Sequence, residues 1–350
     1  MSGCVIEHEE LHALVERLVR QWPVMGPKER QQQPGFYYFD WLRSADELVW
    51  DYVTTTLPPK KAFFPPREPF LEFSRTDPAN IRSMTDEGPL VLVGMHPCDL
   101  AAIEQLDIAY SDNIADGRYL ANRARTTAII GVDCWPDEYC LCTSVGTEQA
   151  RGSADLFLTP IQRGYLAEVR TPRGEELLGD TPQLPVTDQD EADTVRFRHE
   201  KERRVTAKFE TDVEQFAAIL AEGGLTEVWQ EVAERCYSCG SCNLVCPTCF
   251  CFDINDDINL DLTTGVRGRT WDSCQLPDFA LVAGGHNFRG ERWERVRHRW
   301  HRKFLYLYTQ YGRPFCTGCG RCSRACTAEI NLVEVSNDLI AYAQRERQNV

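Results

Sequence analysis

Residues 236–251 read CYSCGSCNLVCPTCFC and place six cysteines within sixteen positions. The first four follow the spacing C-x2-C-x2-C-x3-C, which returns at residues 316–327 as CTGCGRCSRACT. This is the bacterial ferredoxin spacing, in which three cysteines of a run bind one [4Fe–4S] cubane and the fourth binds the other cluster. The sequence therefore predicts two [4Fe–4S] clusters held by an interlocked pair of runs.

The predicted ligand sets are crossed between the two runs. A short loop wraps three corners of a cube, whereas the fourth cysteine, at the start of the following helix, points away from it. The first cluster is assigned to Cys236, Cys239, Cys242 and Cys326, and the second to Cys316, Cys319, Cys322 and Cys246. Glycine and serine fill the loops, so that backbone N–H groups can approach the cluster sulfurs and help to set the potential.

A pair of structural zinc sites is the alternative for these runs. Such sites typically use two C-x2-C pairs, and two complete four-cysteine runs favour clusters instead. Pro247 follows the fourth cysteine of the first run, as is usual, whereas Thr327 stands at that position in the second. Since the proline is not a ligand, this departure weakens the assignment only slightly.

The segment between the two runs is a large insertion, residues 249–313. It contains Cys249, Cys251 and Cys274, for which a thiol pocket and a further metal site both stay open. It also contains the stretch NFRGERWERVRHRWHRKF at residues 287–304, whose apolar positions recur at helical spacing while six arginines and a lysine fill the rest. Its basic face is either solvated, or it docks an acidic partner or raises the potential of a nearby cluster. His286, His298 and His301 are expected to be structural or surface residues rather than ligands.

The first half of the chain carries a predicted β-α-β unit. Apolar runs at residues 90–93 and 127–132 flank a helical pattern, which at this length indicates parallel strands. Cys98 and Cys134 follow the carboxyl ends of these strands, the edge at which α/β sheets usually bind ligands. With Cys140 and Cys142 they either hold a third [4Fe–4S] cluster or are ordinary buried thiols.

The composition limits which partners and which cellular compartment are expected for this protein. The formal net charge of −15 argues against a nucleic-acid partner, which needs a basic face. No apolar run is long enough to span a membrane, and the acidic amphipathic N-terminus, with Leu11, Leu14 and Trp22 at helical spacing, does not resemble a secretion signal. Sixteen cysteines without such a signal indicate metal ligands in a reducing compartment. We therefore expect a cytoplasmic metalloprotein.

The expected fold is α+β. After a β-hairpin from Asp155, a charged helical stretch ends at Gly223 and Gly224, where we place a domain boundary. Residues 1–224 are predicted to form a mixed α/β domain containing the possible third cluster site. Residues 225–350 are predicted to form a helical domain carrying the two-cluster ferredoxin module and its insertion.

Motifs for bond chemistry are absent. The sequence has no dinucleotide fingerprint after a strand, no phosphate-binding loop and no paired C-x2-C motifs of a nickel–iron centre. The chain is therefore expected to move electrons, with cysteines as metal ligands and no catalytic residue of its own.

Six segments together show a resemblance to a known family. They are MHPCDLAAI, DCWPDEYCLCTSVGT, CYSCGSCNLVCPTCFCFD, WDSCQLPDFALVAGGHNFR, RHRWHRKF and CTGCGRCSRAC. In combination they resemble the beta subunit of cytosolic sulfhydrogenases, which are NAD(P)-linked nickel–iron hydrogenases. They are equally similar to the 4Fe–4S dicluster subunit of anaerobic sulfite reductase. The resemblance covers residues 58–335. Family members usually have C-F-C where this chain has Cys140-Leu141-Cys142, which keeps both thiols and favours the third cluster.

The resemblance implies an electron-transfer subunit. Its partners would be a flavin subunit that handles NAD(P)H and the small and large subunits of a nickel–iron hydrogenase. The first alternative keeps the electron transfer but ends in sulfite or polysulfide reduction, with sulfite reductase subunits as partners. An alternative of another class is a zinc-stabilised scaffold without a redox role.

Overall fold

The structure, a computed structural model, describes residues 2–77, 79–84, 88–112, 115–150 and 152–348. These ranges contain two sheets. Their strands are β1 (Ser2–Ile6), β2 (Val24–Arg30), β3 (Gln33–Trp41), β4 (Arg67–Ser74), β5 (Ile81–Ser83), β6 (Leu90–Met95), β7 (Thr126–Val132), β8 (Leu156–Ile161), β9 (Gly164–Val169), β10 (Phe252–Ile258) and β11 (Thr264–Trp271).

Helices surround the first sheet and make up most of the C-terminal third. They are α1 (His8–Gln21), α2 (Pro97–Ser111), α3 (Gly117–Ala124), α4 (Cys142–Val145), α5 (Pro172–Leu178), α6 (Asp188–Arg204), α7 (Val213–Glu222), α8 (Thr226–Arg235), α9 (Ser241–Leu244), α10 (Arg292–His301), α11 (Leu307–Tyr311), α12 (Arg321–Arg324) and α13 (Leu332–Gln348). A π-helical turn, Arg302–Tyr306, joins α10 to α11.

The larger sheet has the strand order β1-β9-β8-β7-β6-β2-β3. Its central strands β2, β6, β7 and β8 pair in parallel, and antiparallel strands close both edges. The predicted β-α-β unit is confirmed, since β6 and β7 are parallel neighbours joined through α2 and α3. The predicted hairpin is also confirmed as β8 and β9. Every residue of β6 is buried, as expected for a central parallel strand.

The smaller sheet joins distant parts of the sequence. Its order is β10-β11-β4-β5, and β11 of the insertion pairs with β4 from the first half of the chain. The insertion between the two cysteine runs therefore contributes a β-hairpin as well as the predicted helix. Because β4 and β11 share backbone hydrogen bonds, the insertion is fixed to the N-terminal half of the protein.

The helix predicted in the basic stretch forms as α10 and continues through the π-turn. Trp300 and Phe304 are buried, so the predicted apolar face packs into the helical core. A uniformly solvated basic face is contradicted, because Arg295, Arg299 and Lys303 are also buried. Their positive charges point into the protein, where only hydrogen bonds or nearby anions can compensate their desolvation.

The division at residue 224 stays a prediction, although packing crosses it. The Phe216 ring in α7 lies 5.3 Å from that of Phe304. The charged stretch predicted as helical up to Gly223 is two helices, α6 and α7, separated by residues 205–212. α1 buries Leu11 and Leu14 as expected, whereas Trp22 lies beyond its end and is exposed. Within the described ranges, the structure contains no helix with the length and apolar character to cross a membrane.

Candidate metal centres

The two cysteine runs adopt matching local structures. In each, a glycine in the left-handed region precedes a four-residue helix: Gly240 (φ +79°) before α9 and Gly320 (φ +70°) before α12. Glycine adopts this conformation without steric cost. The turns aim backbone N–H groups at sulfur, since Ser238 N donates to Cys236 Sγ at 3.4 Å and Ile330 N donates to Cys326 Sγ at 3.4 Å. Such donors favour a thiolate and tune a bound cluster.

One cavity brings together the first predicted ligand set. It is lined by Cys236, Cys239, Cys242 and Cys326, the last of these from the other run. Cys322 also reaches its wall, and Val296 and Trp300 of α10 close its apolar side. Cys239 is exposed, so this cavity lies near the surface.

The second predicted ligand set is also close together, and deeper. Burial, and then the negative charges of Cys246 and Cys322, raise the pKa of Cys319 to about 11 against the opposing charge of Arg321. Burial raises the pKa of Cys316 to about 12, with Cys322 and Cys246 again contributing and Lys303 opposing. Four neighbouring thiolates repel one another, so these thiols can ionise together only when a bound cation compensates their charges. The iron of a [4Fe–4S] core provides that positive charge.

Lys303 is a buried cation at this second set. Its Nζ donates to Cys246 Sγ at 3.1 Å, to Thr248 Oγ1 at 2.9 Å and to the Phe315 carbonyl at 3.0 Å. Burial opposes its charge, but the thiolates of Cys246 and Cys249 outweigh burial and raise its pKa. The geometry therefore favours Cys246 as a thiolate, the form that binds metals.

The third predicted set gathers beside the larger sheet. Cys98 lies in the first turn of α2, Cys134 follows β7, and Cys142 begins α4. Burial raises the pKa of Cys142 to about 12, and Cys134 contributes by charge. Burial and the charges of Cys134 and Cys142 likewise raise the pKa of Cys140, so these thiols are mutual neighbours. The cysteines therefore gather in one region, close to the strand ends that they follow in sequence.

The third set lies directly against the second. Leu141 N donates to the Gly318 carbonyl at 2.9 Å, and Thr147 Oγ1 donates to the Thr317 carbonyl at 2.8 Å. A Cβ at Gly318 would meet the Cys142 nitrogen at 2.5 Å. The loop of the second run therefore packs backbone to backbone on the loop of the third set, which leaves no room for a side chain between them.

Two buried ion pairs flank these sets and were missed by sequence reasoning. Arg321, between Cys319 and Cys322, pairs with Asp99, which follows Cys98. Lys201 Nζ lies 2.5 Å from Asp133 Oδ1 and also donates to the Glu148 carbonyl at 2.6 Å. The sequence could have pointed to Asp99 and Asp133, because each of them directly neighbours a predicted cysteine ligand. Nothing in the sequence distinguishes Lys201 among the many charged residues of α6.

The remaining cysteines of the insertion line a separate cavity. Its wall contains Cys249, Cys251 and Cys274 together with the cations Arg299, Arg302 and Lys303. Asn243, the neighbour of Cys242, also lines it. Cys4 is elsewhere, buried on β1 in the core beneath the larger sheet. Whether the trio forms a thiol pocket or a further metal site therefore depends on this one pocket, whose wall is positively charged.

The histidines of the insertion's helix lie outside these thiol sets. His301 packs against the Trp229 and Tyr306 rings, and His298 against Tyr306. Burial, followed by the charge of Arg297, lowers the pKa of His301 to about 4. Burial and the nearby arginines lower the pKa of His298 to about 4 as well.

The donor sets fit iron–sulfur clusters chemically. Each of the three predicted sets offers four cysteines, the ligands that [4Fe–4S] clusters take. Arg299 and Lys303 are buried beside predicted cysteine ligands. Among the described residues neither forms an ion pair with a carboxylate, so a bound anionic cluster would compensate their charges. In the described part of the chain, no three cysteine, histidine or carboxylate side chains are arranged to hold a single metal ion.

Comparisons with known proteins agree with these observations. A family model described as a 4Fe-4S dicluster domain matches residues 235–330. Sulfhydrogenase 2 subunit beta of Pyrococcus furiosus is 38% identical over 324 residues, which cover 92% of this chain and 94% of that protein. The resemblance inferred from the six sequence segments is therefore confirmed, and the dicluster domain lies in the C-terminal part of a mixed α/β protein.

Proposed function

The chain belongs to the family of sulfhydrogenase beta subunits, and from this premise we propose that it relays electrons between a flavin subunit that handles NAD(P)H and a nickel–iron hydrogenase module. Membership makes it an iron–sulfur electron-transfer subunit of a hydrogenase-type oxidoreductase complex. The individual ligands, the third cluster, the flavin partner and a cytoplasmic location belong to the proposal.

The observation that carries the proposal is the cavity shared by the two cysteine runs. Cys326 lines the same cavity as Cys236, Cys239 and Cys242, as the crossed assignment requires. Cys246 is correspondingly close to Cys316 and Cys319, the second set. Two [4Fe–4S] clusters arranged in this way share their supporting loops, which keeps the distance for electron transfer between them short.

The proposed path runs from the surface inward. The first cluster is nearest to solvent, since Cys239 is exposed and its neighbour Tyr237 is 69% exposed. The second cluster is buried, and the third set touches its loop through Gly318 and Leu141. Electrons would therefore enter or leave at the first and third clusters and pass through the second.

Buried cations would raise the reduction potentials of the clusters along this path. Lys303 at the second cluster and Lys201 at the third place a positive charge beside the predicted ligands Cys246 and Cys134. A positive charge stabilises the more negative reduced cluster and so raises its potential. Arg299 acts in the same way between the first and second sets, because it interacts electrostatically with Cys242, Cys322 and Cys246.

The proposal is tested by purifying the protein without oxygen and measuring iron, acid-labile sulfide and dithionite-bleachable visible absorption. We expect iron and sulfide for three cubanes and clear bleaching. Zinc without iron, and no bleaching, would instead establish the scaffold alternative. Co-purification from the native host decides the terminal reaction: a nickel–iron large subunit supports the proposal, and a sirohaem subunit contradicts it.

The crossed ligation has its own test. Cys326→Ser should remove the first cluster although the cysteines it joins lie in the other run, so iron falls by one cubane and the EPR signal of the second cluster remains. Cys4→Ser, which changes a buried core thiol that belongs to none of the sets, is the matched control and should retain all the iron. Retention of full iron by Cys326→Ser would disprove the crossed assignment.

A further inference from the structure

Cys251 and Cys274 lie side by side in the cavity between the two ferredoxin-type runs. Both side chains line this cavity and interact closely enough that each thiol shifts the pKa of the other, and their backbones meet where Asp272 N donates to the Cys251 carbonyl at 3.0 Å. Cys251 directly precedes β10 and Cys274 follows β11, so the paired strands hold the two residues together. None of the three predicted cluster sets uses either thiol.

The surroundings favour a thiolate at Cys274. Asn243 Nδ2 donates to Cys274 Sγ at 3.0 Å. The interaction with the Cys251 thiol and the hydrogen bond from Asn243, against burial, lower the pKa of Cys274. Arg299 adds a positive charge, and its Nη2 has no hydrogen-bond partner in the described structure although the residue is only 4% exposed. A stabilised thiolate beside a second thiol is the arrangement that redox-active dithiols use.

The pocket is connected to both predicted clusters. Asn243 follows Cys242, a predicted ligand of the first cluster, and its Oδ1 accepts from Arg299 Nε at 3.2 Å. Cys249 interacts electrostatically with Cys246, a predicted ligand of the second cluster, and donates to Asn243 Oδ1 at 3.6 Å. The dithiol thus lies within a few side chains of two one-electron carriers.

We propose that Cys251 and Cys274 form a redox-active dithiol that exchanges electrons with the two [4Fe–4S] clusters, an inference that rests on the clusters of the proposed function. On oxidation, the Cys274 thiolate and the Cys251 thiol form one S–S bond. The Cys251 proton leaves to solvent, and the two electrons released would pass one to each bound cluster. On reduction, the S–S bond breaks with two electrons that the clusters would supply, and Cys251 is reprotonated. The couple stores two electrons where each cubane carries one.

A single bound metal ion fits this pocket less well. The strongest interaction of the Cys251 thiol is with Cys274, whereas that of the Cys249 thiol is with Cys246. The described residues contain no set of three such ligands around one ion. Every charged residue that the described chain contributes to the pocket wall is a cation, which favours a thiolate or a disulfide-forming pair over a carboxylate-assisted metal site.

Differential alkylation of the anaerobic holoprotein tests the inference. In the oxidised protein, peptide mass spectrometry should find Cys251 and Cys274 joined, and after reduction with dithionite both should be alkylated. Reductive titration should show the wild type taking up two more electrons per chain than Cys274→Ser, as the couple requires. Cys251→Ser should behave like Cys274→Ser, and Cys4→Ser like the wild type.

Two results would overturn the inference. If both thiols are alkylated at every potential, no dithiol couple exists. If iron falls in Cys251→Ser and Cys274→Ser while the proteins remain folded by circular dichroism, the residues are metal ligands. The iron content of the wild type reports separately on the proposed clusters, because the alkylation map is obtained equally with dithiothreitol. If the protein lacks iron but forms the disulfide, the proposed function and the electron exchange with the clusters are both wrong. The Cys251–Cys274 couple would still stand in that case.

Discussion

Arg321 and Asp99 form a buried bidentate ion pair across 222 residues of sequence, with Nη1–Oδ1 at 2.7 Å and Nη2–Oδ2 at 2.9 Å. Their side chains are 2% and 1% exposed. Arg321 also donates through Nε to the Thr55 carbonyl at 2.8 Å. The pair fastens the second cysteine run to α2, whose first turn contains Cys98, so it holds the second and third predicted cluster sites in register.

Asp99→Asn should destabilise the protein. The substitution leaves the Arg321 charge buried without its carboxylate, and breaking a buried pair in this way costs about 3 to 5 kcal/mol. Anaerobic urea unfolding followed by circular dichroism measures the change in the free energy of unfolding. Asp256→Asn breaks the surface pair with Arg267, whose side chains are 38% and 49% exposed, and should cost far less because water screens an exposed pair. Equal losses in both variants would contradict the structural role of the Asp99 pair.

Gly318→Ala should separate the loops of the second and third predicted cluster sites. Its φ is +63°, and the added Cβ would lie 2.5 Å from the Cys142 nitrogen, an approach that backbone atoms cannot accommodate in place. Gly312→Ala is the matched control, since its φ is +67° and nothing lies within 4 Å of the added Cβ. The control should lose about 1 to 2 kcal/mol of stability from the left-handed backbone alone. Gly318→Ala should lose more, and iron of the third site with it; identical stability and iron in the two variants would refute the contact.

Lys303→Met should make the potential of the second cluster more negative. The ammonium group lies 3.1 Å from Cys246 Sγ, and its removal makes an added electron less favourable. A unit charge at 4 Å is worth about 4 kcal/mol at an effective dielectric of 20, and about 1.4 kcal/mol corresponds to 59 mV for one electron. Because cluster charge is spread over many atoms, we expect a shift on the order of 100 mV in an EPR-monitored redox titration. The exposed Lys208→Met variant should not shift, and an unchanged potential in Lys303→Met would exclude the electrostatic role.

His301 should contribute to acid destabilisation. Burial, and then Arg297, lower its pKa to about 4 in the folded protein, whereas the unfolded chain protonates near pH 6.5. Between these values the unfolded state binds more protons, so stability is full above about pH 6.5 and falls as the pH drops toward 4. His301→Gln should flatten the unfolding free energy in this window, measured by urea titrations at several pH values. His286→Gln, at an exposed position, controls for the loss of a histidine. A His301→Gln profile as steep as that of the wild type would contradict the assignment.

The order of the amino acids was enough to establish the kind of chemistry and the family. Three cysteines of each predicted [4Fe–4S] ligand set of the dicluster module fall within one short loop, so their spacing is a local property that the sequence shows directly. The same holds for the β-α-β unit and the β8–β9 hairpin, whose apolar patterns depend on neighbouring residues. The strand pattern also predicts that Cys98 and Cys134 lie on one side of the sheet, because parallel strands end at a common edge.

The contacts between these local features depend on the tertiary structure. Residues of the second run and the third set meet through Gly318 and Leu141, and Lys201 reaches Asp133 from α6. The basic helix turns Arg299 and Lys303 inward rather than toward solvent, and Cys251 reaches Cys274 through the pairing of β10 and β11. Each of these contacts joins residues that are separated in the chain, and its formation depends on how whole elements pack. Local spacing does not predict that packing, because the partner of a buried charge or thiol depends on the tertiary fold and not on its neighbours in sequence.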